Sequence, residues 1–188
     1  MQKIMTCFSD SAKEMKKVKT LVVTAMLIAL YLVLESFSFA ITPFLPNYLR
    51  ISLSFIAIGL IGCLFGPSVA AVAGAVTDIL ACFLFPRGAW FPGFTLTAMV
   101  GGVLFGLGLY RKQLTFPRVL WTRGCIDLIC NIGLNTIWTS IVANKAISVI
   151  LWSRVIKNMI AWPIEALLFF AVAGTVVAVY RRTRSGRA

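Results

Sequence analysis

Residues 18–40 read VKTLVVTAMLIALYLVLESFSFA, and this run decides the fold. Charge enters it only at Lys19, near its start, and at Glu35, towards its end. About 20 apolar residues carry a helix across the ~30 Å hydrocarbon layer of a bilayer, and the run is long enough to do so. Its apolar side chains are continuous rather than alternating, which favours a helix over a strand of a membrane barrel. Pro43 and Pro46 then break it.

Working outward, five further apolar stretches follow. Residues 51–65 stop at Gly66-Pro67, a tight reversal, and residues 68–84 are closed by Pro86, Gly88, Pro92 and Gly93. Residues 94–110 end at Arg111, Lys112 and Pro117, and residues 119–143 and 154–180 complete the set. The second stretch is short and the sixth long, which predicts one thin span and one tilted or extended helix. The expected fold is an all-α integral membrane protein, a six-transmembrane-helix bundle over residues 18–180. A basic cytoplasmic segment, residues 1–17, precedes it and a basic cytoplasmic tail, residues 181–188, follows. Composition agrees: 60% of the 188 residues are hydrophobic, 13% are charged and the mean hydropathy is +0.92. Soluble domains average about 45–50% apolar and about 25% charged residues. So large an apolar surplus cannot be buried in one core of this size, and the solvent is lipid.

The net charge of +12 has its own reading. A basic soluble protein would suggest nucleic acid, but the cations here fall where sidedness places them. With the N-terminus inside, Lys3, Lys13, Lys16, Lys17 and Lys19 are cytoplasmic. So are Arg111, Lys112, Arg118 and Arg123 in the fourth connection, and Arg181, Arg182, Arg184 and Arg187 in the tail. Thirteen of 18 basic residues then lie inside, which predicts N-in, C-in topology and no nucleic-acid partner. Residues 1–20 lack a cleavable apolar core ending in small residues, so no signal peptide is expected.

Absences bound the chemistry. With no His, the usual acid–base residue at neutral pH and the commonest metal ligand are missing. The cysteines Cys7, Cys63, Cys82, Cys125 and Cys130 show no C-x-x-C spacing, and most read as small hydrophobes inside apolar segments. No P-loop pattern occurs, and no nucleophile–base pair or acidic cluster is evident. The chain reads as a non-enzyme without metal or cofactor.

Five cations remain outside: Arg50, Arg87, Lys145, Arg154 and Lys157. Snorkelling to headgroups accounts for such residues in general. Arg154 and Lys157, however, share a helix face at i and i+3, with Asn158 one turn from Arg154. A guanidinium fork, an ammonium and an amide on one turn suit a carboxylate, and spacing alone leaves both readings open. Glu35, Asp78, Asp127 and Glu165 are acids at membrane depth, where an ionisable group is a functional hypothesis by default. Asp127 lies four residues after Arg123, so an intrahelical ion pair explains it. Asp78, in the outer half of the third span, could accept from paired N–H donors of a heterocycle. Trp90, Phe91, Phe94 and Trp138, with Asn135 three residues before Trp138, gather on the same outer side. An interfacial belt and a stacking site use the same side chains. Small residues recur every four positions at Ala98, Gly102 and Gly106, at Ala70 and Gly74, and at Ala25 and Ala29, marking faces of close helix approach.

In this order within six spans, a set of motifs resembles the S components of energy-coupling-factor (ECF) vitamin transporters, and most closely their folate-specific group. The residues that carry the likeness are Leu64-Phe65-Gly66-Pro67, Asp78, Phe85-Pro86 and the run from Phe91 to Leu96. Asn135-Thr136-Ile137-Trp138, Arg154 to Asn158, and Pro163 complete it. The likeness covers residues 16–180. One departure is Glu165, where the family pattern has Gln after Pro163-Ile164; no role carries over to it.

The resemblance implies a six-helix bundle that binds a vitamin from outside a prokaryotic cell membrane. It implies association with a transmembrane coupling subunit, which Ala25 and Ala29 would contact, and with two cytoplasmic ATPases. Folate is the expected ligand. Arg154 and Lys157, helped by Asn158 and by Arg87 or Arg50 among the outer cations, would hold its two carboxylates. Asp78 or Asn135 would read the pterin edge, while Trp138, Phe94, Thr95 and Trp90 would line or stack on it, under a lid of residues 42–49. An S component for thiamine or riboflavin, or a stand-alone carrier, is the alternative. Thiamine is a cation facing outer cations, and riboflavin would leave Arg154 and Lys157 without an anion.

Overall fold

The computed structural model describes residues 2–41, 53–85, 91–143 and 146–185. Arg50, Arg87, Trp90, Lys145 and the expected lid therefore lie outside the described residues. All the described elements are helical: α1 (Gln2–Glu14), α2 (Val18–Ile41), α3 (Phe55–Phe65), α4 (Pro67–Leu84) and α5 (Pro92–Leu109). Then α6 (Phe116–Ile126), a π-helical segment (Asp127–Leu134) and α7 (Asn135–Ala143) run on as one rod, and α8 (Ile147–Ser185) closes the chain. Five stretches are long and apolar enough to cross a membrane: Val18–Ser38, Pro67–Leu84, Pro92–Leu109, Phe116–Val142 and Ile150–Tyr180. The sixth apolar stretch is the shorter helix α3. The long last span also starts earlier than residue 154, because α8 opens at Ile147.

The bundle is built around α3. Nine of its 11 residues are buried, and α2, α4, α5 and α8 pack around it. Glycines make that envelopment possible: a Cβ on Gly59 would strike the Phe169 ring, and one on Gly62 would lie 2.9 Å from the Gly106 amide nitrogen. The small-residue faces of α4 and α5 meet in the same way. A Cβ on Gly74 would stand 2.5 Å from the Ala98 carbonyl oxygen, and Gly102 and Gly106 lie against the backbone of Ala70 and Pro67. Such close approach replaces the hydrophobic drive that is missing between helices in lipid. The outer surface is correspondingly apolar, with Trp121, Trp152, Met159 and Phe37 largely exposed.

One element is absent from the sequence reading. Residues 1–17 contain α1, held across the α3–α4 reversal by Ser11, which is fully buried. Its hydroxyl donates to the Phe65 carbonyl at 2.8 Å and accepts from the amides of Ser68 (3.0 Å) and Val69 (3.3 Å). One side chain thus serves the last turn of α3 and the first turn of α4, both of which have main-chain groups without helical partners. Gly66 makes the reversal with φ +91°, a conformation that glycine alone adopts without strain, and Pro67 starts α4. At the same end Asp10 pairs with Arg111 (2.6 Å), and Lys19 lies 5.6 Å from the Tyr180 ring centre. The N-terminal segment, the α5–α6 connection and the end of α8 therefore share one end of the bundle.

Candidate ligand-binding site

A cavity of about 1030 Å³ opens between α2, α3, α4, α5, α8 and the rod formed by α6, the π segment and α7. Three carboxylates and three basic side chains line it: Glu35, Asp78 and Glu165, and Arg123, Arg154 and Lys157. They are not mixed at random. The acids Glu35 and Asp78 come from α2 and α4, and each accepts from a hydroxyl. Ser54 donates to Glu35 at 2.7 Å and Thr95 to Asp78 at 2.7 Å. Arg154 and Lys157 come from α8, and among the described residues neither forms an ion pair with a carboxylate. Arg154 instead donates to two neutral acceptors, the Asn131 carbonyl (3.0 Å) and the Thr139 hydroxyl (2.7 Å).

The remaining charges are closed on themselves. Arg123, 7% exposed, donates from Nε to Glu165 at 2.9 Å and from Nη2 to the same oxygen, with Asp127 at 3.5 Å. The Phe55 ring covers the guanidinium at 4.4 Å. This corrects one charge assignment: Arg123 is inside the bundle and pairs with α8, so it is no inner-surface cation. It also gives Glu165 a partner that neither spacing nor resemblance supplied. The Arg123–Asp127 pair expected from i, i+4 spacing is present, and it is the looser of the two contacts.

The cavity brings together Arg154, Lys157, Asn158, Asn135, Asp78 and Phe94 of the expected site residues. Trp138 and Thr95 stand behind its wall. The Trp138 indole donates to the Thr97 hydroxyl at 3.1 Å and its ring sits 5.6 Å from Phe91, while Thr95 reaches the cavity through Asp78. Trp90, Arg87 and Arg50 lie outside the described residues. Ala25 and Ala29 are exposed on α2, on the surface that also shows Val22, Met26 and Val33. Tyr31, Ser54, Thr97, Asn131 and Thr139 also line the cavity and were not anticipated. The signal for two of them was available: Arg123, Asp127, Asn131, Asn135 and Thr139 recur every four residues through an otherwise apolar span.

The family model for the ECF transporter substrate-specific component matches residues 19–173. The chain belongs to this family. It is therefore a transporter component and not an enzyme, and its helices are those of a multi-pass membrane protein. Among relatives of this S component, the folate transporter FolT of Clostridium novyi is 39% identical over 156 residues, covering 83% of this chain and 88% of that one. FolT of Leuconostoc mesenteroides is 32% identical over 164 residues, covering 84% and 86%. The crystal structure of FolT bound with folic acid superposes with a TM-score of 0.72 at 30% identity, covering 85% of the S component and 95% of that chain.

Proposed function

We propose that this S component binds folate in the cavity described above and delivers it across the cell membrane together with a coupling subunit and two ATPases. The observation that carries the reading is the pair of cations on α8. Arg154 and Lys157 line the cavity without a salt bridge among the described residues, Lys157 lying within electrostatic reach of Glu165 and Asp127, and Glu35 and Asp78 line the same cavity from α2 and α4. Folate is built to match that polarity, with two carboxylates at one end and a pterin rich in N–H donors at the other. Arg154, Lys157 and Asn158 hold the carboxylates in this reading, with Arg87 or Arg50 from the outer connections. Asp78, steadied by Thr95, or Asn135 reads the pterin edge, and Phe94, Trp90 and Trp138 line or back the ring. The relatives named folate transporters support the ligand class.

Six spans with both termini in the cytoplasm complete the proposal, with α3 counted as the thin one. The shared end of α1, the α5–α6 connection and α8 gathers most of the basic residues, as positive-inside topology asks. In this topology the cavity, lined at the other end by Phe85, Phe91, Val142 and Ser153, faces outward. The exposed face of α2 around Ala25 and Ala29 suits the coupling subunit, since small residues admit a partner helix closely. The test is a thermal-shift and tryptophan-fluorescence titration of the purified protein with folate, thiamine and riboflavin. Quenching and stabilisation by micromolar folate alone are expected. A response to thiamine or riboflavin with none to folate overturns the assignment.

A further inference from the structure

The polar residues at 123, 127, 131, 135 and 139 pose a geometric problem. In an uninterrupted α-helix a four-residue repeat creeps round the axis by about 40° per step, about 160° over four steps. Thr139 would then face almost opposite to Arg123. A π turn holds more residues than an α turn, so through Asp127–Leu134 the creep runs in the reverse sense. The π segment cancels the drift, and Arg123, Asn131, Asn135 and Thr139 all line one cavity. Side-chain bonds follow the stripe: Asn131 donates to Asp127 at 2.6 Å and Asn135 to Asn131 at 3.4 Å.

Within the π segment the Asn131 main-chain carbonyl accepts from Arg154 Nη1 at 3.0 Å. Thr139 commits its hydroxyl proton to the Asn135 carbonyl at 2.6 Å, which leaves its oxygen to accept from Arg154 Nη2. Two of the five guanidinium N–H groups are thus held by neutral acceptors, and three remain for a ligand. Neutral acceptors fix direction without cancelling charge, which is what an anion-binding arginine needs. We propose that Thr139, acting with the π-helical carbonyl of Asn131, is the positioning residue for Arg154, and so a determinant of selectivity for carboxylate-bearing ligands. This rests on the reading of Arg154 as a folate-binding residue.

The variants are Thr139→Val, which keeps the shape and loses the acceptor, and Thr139→Ser, which keeps it. Each is titrated with folate and with a pterin that lacks the glutamate tail. Thr139→Val is expected to lose folate affinity about 5–20-fold, at least threefold more than it loses pterin affinity. Thr139→Ser is expected to stay within about twofold of the wild type for folate, as a charge-assisted bond to its hydroxyl is retained. Equal losses for both ligands, or no rescue by serine, overturn the positioning role. A second readout needs no ligand: in protein labelled with ¹⁵N-arginine, the Arg154 side-chain signal, assigned through Arg154→Lys, should exchange faster in Thr139→Val and not in Thr139→Ser. An unchanged signal in Thr139→Val also overturns it. If the wild type binds no folate at all, the folate reading fails, and the arginine spectra still decide the positioning. Thr139→Ala replaces the valine variant if that one does not fold.

Discussion

Replacing Arg123 by alanine should damage this protein more than replacing its partner Glu165. Both side chains are almost fully buried, and Arg123 ties the rod to α8 through Glu165. Arg123→Ala leaves Glu165 and Asp127 as buried carboxylates with the cation between them gone. Stripping one partner from a buried ion pair costs about 3–5 kcal/mol. Glu165→Ala is milder for a reason visible in the structure. The guanidinium keeps Asp127 at 3.5 Å and the Phe55 face at 4.4 Å, and Asp127 Oδ2 has no hydrogen-bond partner and can turn to it. About 1–3 kcal/mol is then expected, the cost of a lost charge-assisted hydrogen bond. At about 2–4 °C per kcal/mol for a chain of this length, Arg123→Ala lowers the Tm by about 6–20 °C. Glu165→Ala lowers it by about 2–12 °C, and Glu165→Gln falls between it and the wild type, since the amide oxygen still accepts. The assay is a thermal ramp in one detergent, read by intrinsic tryptophan fluorescence. If Glu165→Ala costs as much as Arg123→Ala, or if Arg123→Ala lies within 2 °C of the wild type, the asymmetry argument is wrong.

Three other outcomes follow from the same structure. Arg154→Ala should weaken folate at least tenfold, the loss of a charge-assisted bond to carboxylate, and a tail-less pterin much less; equal losses in a fluorescence titration would remove Arg154 from the tail. Ser11→Ala should lower the Tm by about 2–8 °C, because it strands the Phe65 carbonyl and two amides in a buried site, while folate affinity measured at 10 °C should change less than threefold. Ala25→Leu with Ala29→Leu should leave folate binding intact and abolish co-purification with the coupling subunit, and undiminished co-purification would move that contact elsewhere.

Five stretches long enough to cross a membrane, and the shorter apolar helix α3, were legible because apolar length is a direct consequence of bilayer thickness, and Gly66-Pro67 marked its reversal because few residues besides glycine accept φ +91°. The α4–α5 seam was legible too, since Gly74, Gly102 and Gly106 repeat at helical spacing. Helix α1 escaped notice for the opposite reason. Its anchoring is Ser11 bonded to residues 54–58 positions away, with the Phe8 carbonyl accepting from Ser68 and Asp10 paired to Arg111, and no local pattern encodes contacts of that range. The π segment is invisible to periodicity measured over one or two turns, and shows only as a polar repeat that an α-helix could not keep on one face. Arg123 was misplaced because a cation near the end of an apolar stretch looks the same whether it meets headgroups or a carboxylate on another helix. Of the expected ligand residues, the charged and amide ones on α4, α7 and α8 reach the cavity, and so does Phe94 on α5. The aromatic Trp138 does not, since its indole is spent on Thr97.

The buried charges divide by what they are bonded to, and that division separates stability from binding. A carboxylate against a guanidinium, as in Glu165 and Arg123, joins two helices and cancels its own field within a few ångströms. Such a pair fastens the bundle and has little left for a ligand. Arg154 is held by a carbonyl and a hydroxyl, so its position is fixed while its field remains. A half-buried charge left uncancelled is partly desolvated, which costs the empty protein stability that an arriving anion restores. The two arginines should therefore behave in opposite ways. Arg123 variants lose Tm without a preference among ligands, and Arg154→Met, which removes a half-buried charge, should leave the empty protein at least as stable as the wild type while folate-induced stabilisation falls by more than half. A lower Tm for empty Arg154→Met, by 4 °C or more, would show that the two hydrogen bonds outweigh the stranded charge and that Arg154 is a fastener like Arg123.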